Sequence, residues 1–486
     1  MPLFFLGLDI GTGGSRALLV DANGRVRHSF TAPHEDMKME RPLWAEQRPE
    51  NWWDASQAAI QGVLRESGVN GEEVAAVGLS GQMHGLTLLD VSNQVIRPAL
   101  IWCDQRSQPQ VDWINEHAGK EFVLKSTANP MLTGFTLPKL LWVRDHEPEN
   151  FGRIKKILLP KDYIRFELTG EYASDVSDAS GTGLFDVVER DWALDLADKV
   201  GVARTMLPSV YESSEVTGTI HARASQATGL KQGTPVVGGG GDQAASAIGN
   251  GIVEQGIVSC TIGTSGVVFG HLEKPAYDPQ GRVHTFCHAV TGAWHTMGVT
   301  QGAGLSLQWF RNQFAPGANY DELTREASTM DAEGLYWLPY LMGERTPHLD
   351  AMARGGWIGV TAKHTRGDLI RALIEGVSFS LKDCLDLVSA LGVEIQSVRV
   401  SGGGAKSAFW RQVLADVFNK RVVSLETQEG SAYGAALLAM PGDVRETCKR
   451  VIREVESLEP KHPEPYARKQ AIYKTLYPSL RAFYRA

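Results

Sequence analysis

The sequence contains the same short turn twice. Ile10-Gly11-Thr12 lies near the start of the chain and Ile262-Gly263-Thr264 lies past its midpoint, each between two apolar runs. This pattern predicts a strand, a tight glycine turn and a second strand in each half. Glycine turns expose backbone N–H groups that can bind phosphate, and threonine adds a hydroxyl donor. Asp9 precedes the first copy but Thr261 precedes the second, which predicts a nucleotide held between two related lobes with a single carboxylate.

The length and a second internal similarity favour a duplicated chain. With 486 residues the sequence exceeds what one hydrophobic core usually supports, so we expect two domains. Residues 236–247 and 398–409 each read as an apolar strand, a glycine run and a helix that begins with small residues. We place the boundary near residues 246–256, which divides the chain into 1–248 and 249–486. Chance similarity between glycine-rich turns is the alternative.

Charge and cysteine content restrict the class of protein. The net charge of −8 argues against nucleic acid or an anionic membrane as the main partner. The five cysteines are scattered without a CxxC pair, which favours reduced thiols in a cytoplasmic protein. The apolar N-terminus lacks the basic flank and cleavage site of a signal peptide and is predicted to be a buried strand. No apolar run approaches the roughly 20 residues of a membrane span.

Hydrophobic periodicity predicts an alternating α/β chain. We expect strands at 3–9, 16–21, 74–80, 86–90, 235–237, 257–262 and 266–271, a strand-to-helix stretch at 155–175, and helices at 50–66, 107–117, 137–147, 303–314, 366–389, 408–418 and 464–485. The sequence contains neither GxxxxGK[ST] nor GxGxxG, so a P-loop or a dinucleotide-binding site is not supported.

Two aspartates are candidates for chemistry. Asp9 ends a strand predicted to be buried, where a carboxylate needs partners, and a metal ion would be one. Asp242 follows four consecutive glycines and precedes Gln243. It is either the N-terminal cap of a helix or a carboxylate that a bare loop leaves open to substrate, and the residues alone favour neither.

Several polar and aromatic segments allow two interpretations. A single histidine such as His84 more often satisfies a structural hydrogen bond, but its setting in Gly81-Gln82-Met83-His84-Gly85 favours a hydroxylated ligand. In the loop 338–347 we expect Glu344 and Arg345 to pair structurally. No Cys/His cluster has the spacing of a zinc site. Four tryptophans could stack on a sugar, although core positions are commoner; they are Trp44, Trp52, Trp53 and Trp102.

Taken together, these segments resemble the FGGY family of carbohydrate kinases over essentially the whole chain. Residues 9–16 look like the family's first phosphate loop, 261–266 like the second, 401–407 like the adenosine loop and 339–347 like the C-terminal signature. The resemblance implies an α/β, two-lobed fold of the actin, sugar kinase and Hsp70-type ATPase class. In that fold, duplicated ribonuclease H-like domains enclose an interlobe cleft.

The resemblance also implies which residues act. Asp242 falls at the family's catalytic base, and Asp9 would take part in catalysis by holding Mg²⁺. Contacts to ATP would come from the two turns, the adenosine loop and one helix start, namely Gly11, Thr12, Gly13, Gly263, Thr264, Ser265, Gly304, Gln308, Gly403, Gly404 and Ser407. Relatives often carry serine in place of Gly13 and asparagine in place of Gln243.

Within the family, the chain is most similar to the branch that phosphorylates D-xylulose. This similarity rests on residues 41–47, 81–85, 158–175 and 177–182. It implies ATP-dependent formation of D-xylulose 5-phosphate, with Mg²⁺ as cofactor and a homodimer as the common assembly. Sugar contacts would come from Met83, His84, Gln82, Asp104 and Gln243. The alternatives are a kinase for another pentulose or polyol, a chaperone or filament protein of the same fold, and a sugar sensor without catalysis.

Overall fold

Two seven-stranded sheets carry the fold, one in each half of the chain, in a computed structural model that describes residues 3–427 and 429–485. The strands of the first half are β1 (Phe4–Ile10), β2 (Gly14–Asp21), β3 (Val26–Pro33), β4 (Glu46–Gln47), β5 (Val74–Gly81), β6 (Thr87–Leu89), β7 (Ala99–Leu100), β8 (Lys156–Leu158), β9 (Ala173–Asp175), β10 (Phe185–Asp186), β11 (Asp191–Trp192), β12 (Ser209–Tyr211), β13 (Val216–Thr219), β14 (Pro235–Val237) and β15 (Gly240–Gly241). Its helices are α1 (Pro49–Ser67), α2 (Gln108–Ile114), α3 (Lys120–Thr127), α4 (Thr136–His146), α5 (Pro148–Gly152), α6 (Pro160–Thr169), α7 (Val176–Ala179), α8 (Leu194–Val200), α9 (Ala222–Thr228) and α10 (Asp242–Gly249).

The second half contains fewer strands and longer helices. Its strands are β16 (Gly256–Ile262), β17 (Gly266–Leu272), β18 (His284–Cys287), β19 (Trp294–Thr300), β20 (Tyr336–Leu338), β21 (Gly356–Ile358), β22 (Ile395–Ser401), β23 (Arg421–Leu425) and β24 (Glu454–Leu458). Its helices are α11 (Gly304–Phe314), α12 (Tyr320–Ser328), α13 (Arg366–Ala390), α14 (Ala408–Phe418), α15 (Gly430–Leu438), α16 (Val444–Val451) and α17 (Pro463–Tyr484). Within the described part of the chain, no helix combines the length and the apolar character that crossing a membrane requires.

Six strands of each sheet have the same spatial order and pairing directions. The first has the order β13-β14-β5-β1-β2-β3, with β15 also paired to β5, and the second has the order β18-β19-β17-β16-β22-β23-β24. In each sheet a central strand pairs antiparallel with the next strand of its hairpin and parallel with a strand on its other side. Each sheet then adds one parallel strand and one antiparallel edge strand. This correspondence confirms the predicted duplication and the two-lobed α/β fold.

The predicted elements agree with the structure in type and position. Long helices with clear end signals were the most accurate: α1 begins with Pro49 at its first turn and ends before Gly68, which adopts a left-handed conformation with φ 70°, as expected for such residues. The helix predicted at 107–117 is shorter, because α2 ends at Ile114 and a π-helical turn follows it. The elements that were not predicted include helices α3, α8, α9, α12, α15 and α16 and strands β3, β19, β23 and β24.

The second predicted internal similarity joins the wrong segments. By topology β14 corresponds to β23, whereas β22 corresponds to β5. Residues 236–247 are therefore equivalent to the β23–α15 segment, and not to residues 398–409. The error has a simple cause, because β14 and β22 are both parallel strands that are followed by glycines and then by a helix.

Helix α15 belongs to the second half of the chain but packs on the sheet of the first half. A Cβ atom on Gly7 would lie 1.9 Å from the Ala432 carbonyl oxygen, and one on Gly78 would lie 1.8 Å from that of Ala435. Helix α10 is equally close, since a Cβ atom on Gly434 would lie 1.7 Å from the Ala245 oxygen. These contacts are possible only because glycine has no side chain, and they join the two halves of the molecule.

The glycine contact between α10 and α15 predicts a large effect of one methyl group. We expect Gly434→Ala to lower the free energy of unfolding by about 3 kcal/mol, the upper end for overpacking, because the clashing atom is backbone. The measurement is urea unfolding followed by circular dichroism. Gly152→Ala is the matched control, since a Cβ atom there meets nothing within 4 Å. Equal stability of the two variants would contradict the packing described here.

Candidate functional site

Three adjacent strands bring the two candidate carboxylates to the same sheet edge. Asp9 in β1 pairs with Ser80 in β5, and Ser80 pairs with Gly240 in β15. All three strands run parallel, so their carboxyl ends face the same side. Asp242 begins α10 directly after β15. The register therefore places Asp242 beside Asp9, in the cleft between the halves.

Two glycines of the run before Asp242 pass too close to neighbouring backbone for any other residue. Gly239 has φ 67°, and a Cβ atom on it would lie 2.0 Å from the Leu79 carbonyl oxygen. A Cβ atom on Gly238 would lie 2.6 Å from the Glu212 oxygen. In both cases the atom that a Cβ would approach belongs to the backbone and cannot rotate away. The run is thus required to bring the Asp242 carboxylate into the cleft.

Burial raises the pKa of both carboxyl groups. For Asp9, burial exceeds the opposing effects of Ser431, Ser80 and the positive charge of Arg16. For Asp242, burial and then the negative charge of Asp9 raise the pKa to about 7, against hydrogen bonds from Gln243. A carboxyl group with a pKa near 7 is suited to accept a proton at neutral pH.

The donor set at Asp9 fits a magnesium ion that the protein binds through few atoms. Asp9 Oδ1 is buried and has no hydrogen-bond partner among the described residues. The described part of the chain contains no group of three or more His, Cys, Asp or Glu side chains that could hold a metal. Mg²⁺ commonly takes one or two carboxylates together with water and substrate phosphate oxygens, which is what this arrangement offers.

The first predicted phosphate turn is held from several sides. The Thr12 carbonyl accepts a hydrogen bond from Gln47 Nε2 at 2.7 Å, and its hydroxyl donates to Gln82 Oε1 at 3.2 Å. Trp102 Nε1 donates to the same hydroxyl at 3.0 Å. Gly13 is exposed, and a Cβ atom there would meet nothing within 4 Å. The turn therefore presents an open backbone on a rigid support.

The four tryptophans differ in position. Trp52 is fully buried in the core, whereas 46% of Trp102 is exposed beside Thr12. Trp44 packs against the Arg106 guanidinium, which lies 3.7 Å from its ring centroid. Trp102 is thus the tryptophan best placed to contact a ligand in the cleft, a role that the sequence could not separate from core packing.

The second phosphate turn is held by the start of α11. The amide nitrogen of Gly304 donates to the Gly263 carbonyl at 2.8 Å, and those of Ala303 and Leu305 donate to the Thr264 carbonyl at 3.1 Å. A Cβ atom on Gly304 would lie 2.6 Å from the Gly263 oxygen. Glycine at position 304 therefore has a steric reason, because a side chain would displace the turn, and contact of Gly304 with a nucleotide stays a prediction.

Glu344 supports the same region and does not pair with its neighbour as predicted. Its carboxylate accepts hydrogen bonds from Thr300 Oγ1 at 2.6 Å and from the backbone N–H groups of Gln301 and Arg345 at 2.8 Å. Among the described residues, no ion pair joins Glu344 to the Arg345 guanidinium. Burial raises the pKa of Glu344 to about 7. The expectation of a structural role for Glu344 agrees with these contacts, but the expected partner was wrong.

A cavity of about 580 Å³ lies beside the second turn. Its lining includes most of the predicted nucleotide contacts, namely Gly263, Thr264, Gly304, Gln308, Gly403, Gly404 and Ser407. Gly11, Thr12, Gly13 and Ser265 are not part of this lining. The sequence analysis missed Asn319, Tyr320, Asp321 and Trp410, which also line the cavity. The capping box of Asn319 and Glu322 at the start of α12 was the available signal for this helix.

His84 and Met83 lie next to the Asp242 loop. His84 Nδ1 lies 2.6 Å from the Gly181 carbonyl oxygen, so this nitrogen carries the proton and Nε2 is left as an acceptor. Burial lowers the pKa of His84 to about 3, which keeps the ring neutral. Met83 packs against Gly241, since a Cβ atom there would lie 2.8 Å from Met83 Cγ. Both residues thus lie beside the glycine run that leads to Asp242, and their contact with a sugar stays a prediction.

Two other predicted sugar contacts are occupied by the protein itself. Asp104 is fully buried and accepts hydrogen bonds from the Ala45 amide at 2.7 Å and from Arg106 Nε at 2.8 Å. Gln82 Nε2 donates to Gln47 Oε1 at 2.9 Å, and the side chain is only 2% exposed. These contacts favour structural roles for Asp104 and Gln82 over direct contact with a sugar.

Aromatic rings and histidines connect the two halves beside His84. His84 stacks on Phe135 with centroids 5.1 Å apart, and Phe286 of the second half lies 6.3 Å from both rings. His295 lies 5.7 Å from Phe286. The positive charge of Arg345, which the sequence analysis did not assign to the cleft, contributes to lowering the pKa of His84. We call the rings of His84, Phe135, Phe286 and His295 the aromatic layer.

Comparison with known proteins places these features in a family. The model of the N-terminal domain of the FGGY family of carbohydrate kinases matches residues 4–249, and that of the C-terminal domain matches residues 258–441. The chain is 39% identical over 483 residues to the xylulose kinase of Bacillus subtilis (strain 168), covering 98% of this chain and 96% of the relative. It is 41% identical over 440 residues to that of Escherichia coli (strain K12), covering 90% and 89%. The crystal structure of xylulose kinase from Rhodospirillum rubrum matches with a TM-score of 0.93 at 30% identity, covering 99% of this chain and 100% of that chain.

The aromatic layer predicts a pH-dependent stability. Burial lowers the pKa of His295 to about 3, whereas the unfolded chain has a histidine pKa of about 6.5. The neutral ring therefore contributes stability above pH 6.5, which is lost as the pH falls toward 3. We expect the free energy of unfolding of His295→Phe, relative to the wild type, to rise by about 1.4 kcal/mol per pH unit below pH 6.5. Urea unfolding of both proteins between pH 7 and pH 5 measures this difference. Buried carboxyl groups with a raised pKa change the stability in the opposite direction, but they are present in both proteins and their effect cancels in the difference. Parallel pH profiles would contradict it.

Proposed function

Because the chain belongs to the FGGY family of carbohydrate kinases, we propose that it transfers the γ-phosphoryl group of ATP to the terminal hydroxyl of D-xylulose. The product would be D-xylulose 5-phosphate, with ADP as the leaving group. The proposal is supported by relatives named xylulose kinase, at 39% and 41% identity over most of the chain. The mechanism is based mainly on one observation. Asp9 and Asp242 lie beside each other, between the segment of Met83 and His84 and the turns of Thr12 and Thr264.

Asp242 is the proposed general base. The attacking hydroxyl oxygen forms a bond to the γ-phosphorus, the bond from that phosphorus to the bridging oxygen of ADP breaks, and the hydroxyl proton passes to the Asp242 carboxylate. A pKa of about 7 lets the carboxylate be ionised at neutral pH and still accept a proton. Such a base usually contributes about 10²–10⁴-fold to the rate, and positioning supplies much of the remainder.

The sugar would lie against Met83, His84 and Gln243. The neutral His84 ring offers Nε2 as an acceptor for a sugar hydroxyl, because Nδ1 is bonded to the Gly181 carbonyl. Gln243 follows Asp242 at the start of α10 and is partly exposed. A polyhydroxylated ligand has the donors and acceptors that these groups require.

The adenosine part of ATP would occupy the cavity beside α11 and α14, whose volume of about 580 Å³ lies within the usual range for ligand sites. The Thr12 and Thr264 turns would hold the phosphates from opposite lobes. Asp9, with its unpartnered oxygen, would hold Mg²⁺, and the bound ion would neutralise charge on the phosphate oxygens. The aromatic layer excludes water from the sugar side, which limits hydrolysis of ATP.

Three further expectations remain predictions. They are a homodimer, a cytoplasmic location, and a division of the chain at residues 248 and 249. Sedimentation of the purified protein would test the dimer. The packing of α15 on the first sheet means that a fragment ending at residue 248 would lack part of its own core.

Coupled ADP release with Mg-ATP tests the substrate. The acceptors are D-xylulose, D-ribulose, L-ribulose, L-xylulose, glycerol and D-xylitol. We expect D-xylulose to give the highest kcat/KM, by at least about tenfold, because relatives named xylulose kinase are 39% and 41% identical to this chain over most of its length. A higher kcat/KM for another acceptor would assign a different pentulose or polyol, and no acceptor-dependent release would favour a sensor.

Replacement of the proposed base tests the mechanism. We expect Asp242→Asn to lower kcat by about 10²–10⁴-fold, because the amide cannot accept the hydroxyl proton, while ATP binding by calorimetry stays within about threefold. Asp383→Asn is the matched control, since burial also raises the pKa of Asp383 to about 7 but the residue lies on α13, away from the cleft. A kcat of Asp242→Asn within threefold of the wild type would remove Asp242 from this role.

A further inference from the structure

Five charged side chains form a fully buried cluster under the Asp242 loop. They are Lys161, Asp162, Arg165, Asp175 and Asp178, and each has a solvent exposure of 0%. Lys161 Nζ lies 2.6 Å from Asp162 Oδ1, 2.8 Å from Asp175 Oδ1 and 3.3 Å from Asp178 Oδ2. Arg165 lies 3.4 Å from Asp162. We call these five residues the Lys161 cluster.

The Lys161 cluster is bonded directly to the glycine run that carries Asp242. Arg165 donates to the Val237 carbonyl at 2.8 Å and to the Gly238 carbonyl at 2.5 Å. At the other end of the run, the Gly241 amide donates to Ser177 Oγ at 3.2 Å. Ser177 Oγ in turn donates to Asp175 Oδ2 at 2.6 Å. Both ends of the run are therefore connected to the same set of charges.

The same cluster reaches the sugar side of the cleft. Asp178 lies in α7, and a 3-10 turn (Ser180–Thr182) follows that helix directly. The Gly181 carbonyl in this turn is the partner of His84 Nδ1. Met83 lies between the turn and the glycine run, since Cβ atoms on Gly181 and Gly241 would both come within 3.1 Å of its side chain. The orientation of His84 and that of Asp242 thus depend on one support.

Burying so many charges needs a reason other than stability. Desolvation of buried ions offsets much of their attraction, so a well-packed apolar cluster of the same volume is often at least as stable. Burial raises the pKa of Asp178 well above its usual value, against the attraction of Lys161, so keeping this carboxyl group charged in the interior is unfavourable. The charges instead fix the orientation of the groups they bind, because charge-assisted hydrogen bonds restrict angles that apolar contacts leave free.

The glycine run requires such an external support. Four consecutive glycines have no side chains of their own to restrict the backbone, and glycine loses more conformational freedom on folding than any other residue. A displacement of about 1 Å at a reacting group can lower a rate by about 100-fold. The catalytic carboxylate sits at the end of this run.

We propose that Lys161 and Ser177 are positioning residues for phosphoryl transfer: the buried Lys161 cluster fixes the backbone at 238–241 and so directs the Asp242 carboxylate toward the acceptor hydroxyl. Neither residue touches a substrate. The inference rests on the proposed role of Asp242 and adds to it the structure that orients this base.

Ser177→Ala tests the proposal with the smallest change. It removes the acceptor of the Gly241 amide and leaves Asp175 its hydrogen bonds from the Ser177 amide and Ser213 Oγ. We expect kcat with the preferred acceptor to fall about tenfold, while KM for both substrates changes less than twofold. Ser225→Ala is the matched control, because Ser225 Oγ makes a hydrogen bond of 2.7 Å to the Leu230 carbonyl in the same half, and we expect it to leave kcat within twofold.

A double-mutant cycle distinguishes positioning from general destabilisation. In the Asp242→Asn background, Ser177→Ala should lower the residual rate less than twofold, because the base through which Ser177 acts is already absent. A tenfold loss in both backgrounds, or a kcat of Ser177→Ala within twofold of the wild type, would overturn the proposal. Full activity of Asp242→Asn would instead refute the role of the base, so the two failures are distinguishable.

Lys161→Met provides a second measurement on the centre of the cluster. We expect a loss in kcat of about 100-fold, larger than for Ser177→Ala because all three carboxylates lose their shared cation. The same cycle with Asp242→Asn applies to this variant. If it does not fold, the Ser177→Ala cycle alone decides the proposal.

Discussion

The close packing of helix α15 on the sheet of the other half is the contact on which the site depends. Gly7 and Gly78 let the helix backbone approach the sheet, and Gly434 lets it approach α10. No side chain could occupy these contacts, so the distance between the halves is set by backbone atoms. At its N-terminal end α15 brings Ser431 next to the Asp9 carboxylate. The same packing that joins the halves therefore also completes the surroundings of the proposed metal ligand.

The two related sheets differ in the polar residues at the end of their central strands. Asp9 pairs with Ser80 in the first sheet, and Thr261 pairs with Ser401 at the equivalent place in the second. The Thr261 and Ser401 hydroxyls bond to each other at 2.9 Å, whereas one oxygen of Asp9 lacks a partner among the described residues. At this position the polar side chains of the second half bond to each other, whereas the first half has a carboxylate with an unbonded oxygen in the cleft.

Around the cleft, bare backbone is held by buried polar side chains that lie behind it. Glu344 secures residues 300–301, which lead into the start of α11 that holds the second turn. Gln47 and Gln82 secure the first turn, and the Lys161 cluster lies behind the glycine run. This arrangement leaves N–H groups and one carboxylate open to substrates while the supporting atoms stay away from water. It also explains why Gln82 and Asp104, which the resemblance suggested as sugar contacts, are engaged with the protein.

The sequence by itself determined the repeated hairpins, most helices, the family, and the placement of Asp9 and Asp242 at strand ends. The elements and motifs depend on patterns within short segments, where periodicity, glycine and helix-end signals act locally, and the family follows from several such motifs taken together. Tertiary structure alone decided which repeats correspond, because β14 and β22 are both followed by glycines and only the strand order of the sheets distinguishes them. It also decided that α15 packs on the opposite sheet, that Asn319 and Tyr320 line the cavity beside the second turn, and that Lys161 meets three carboxylates. The physical reason is that burial and long-range pairing, which raise the pKa of Asp242 and orient its loop, arise only when distant segments pack together.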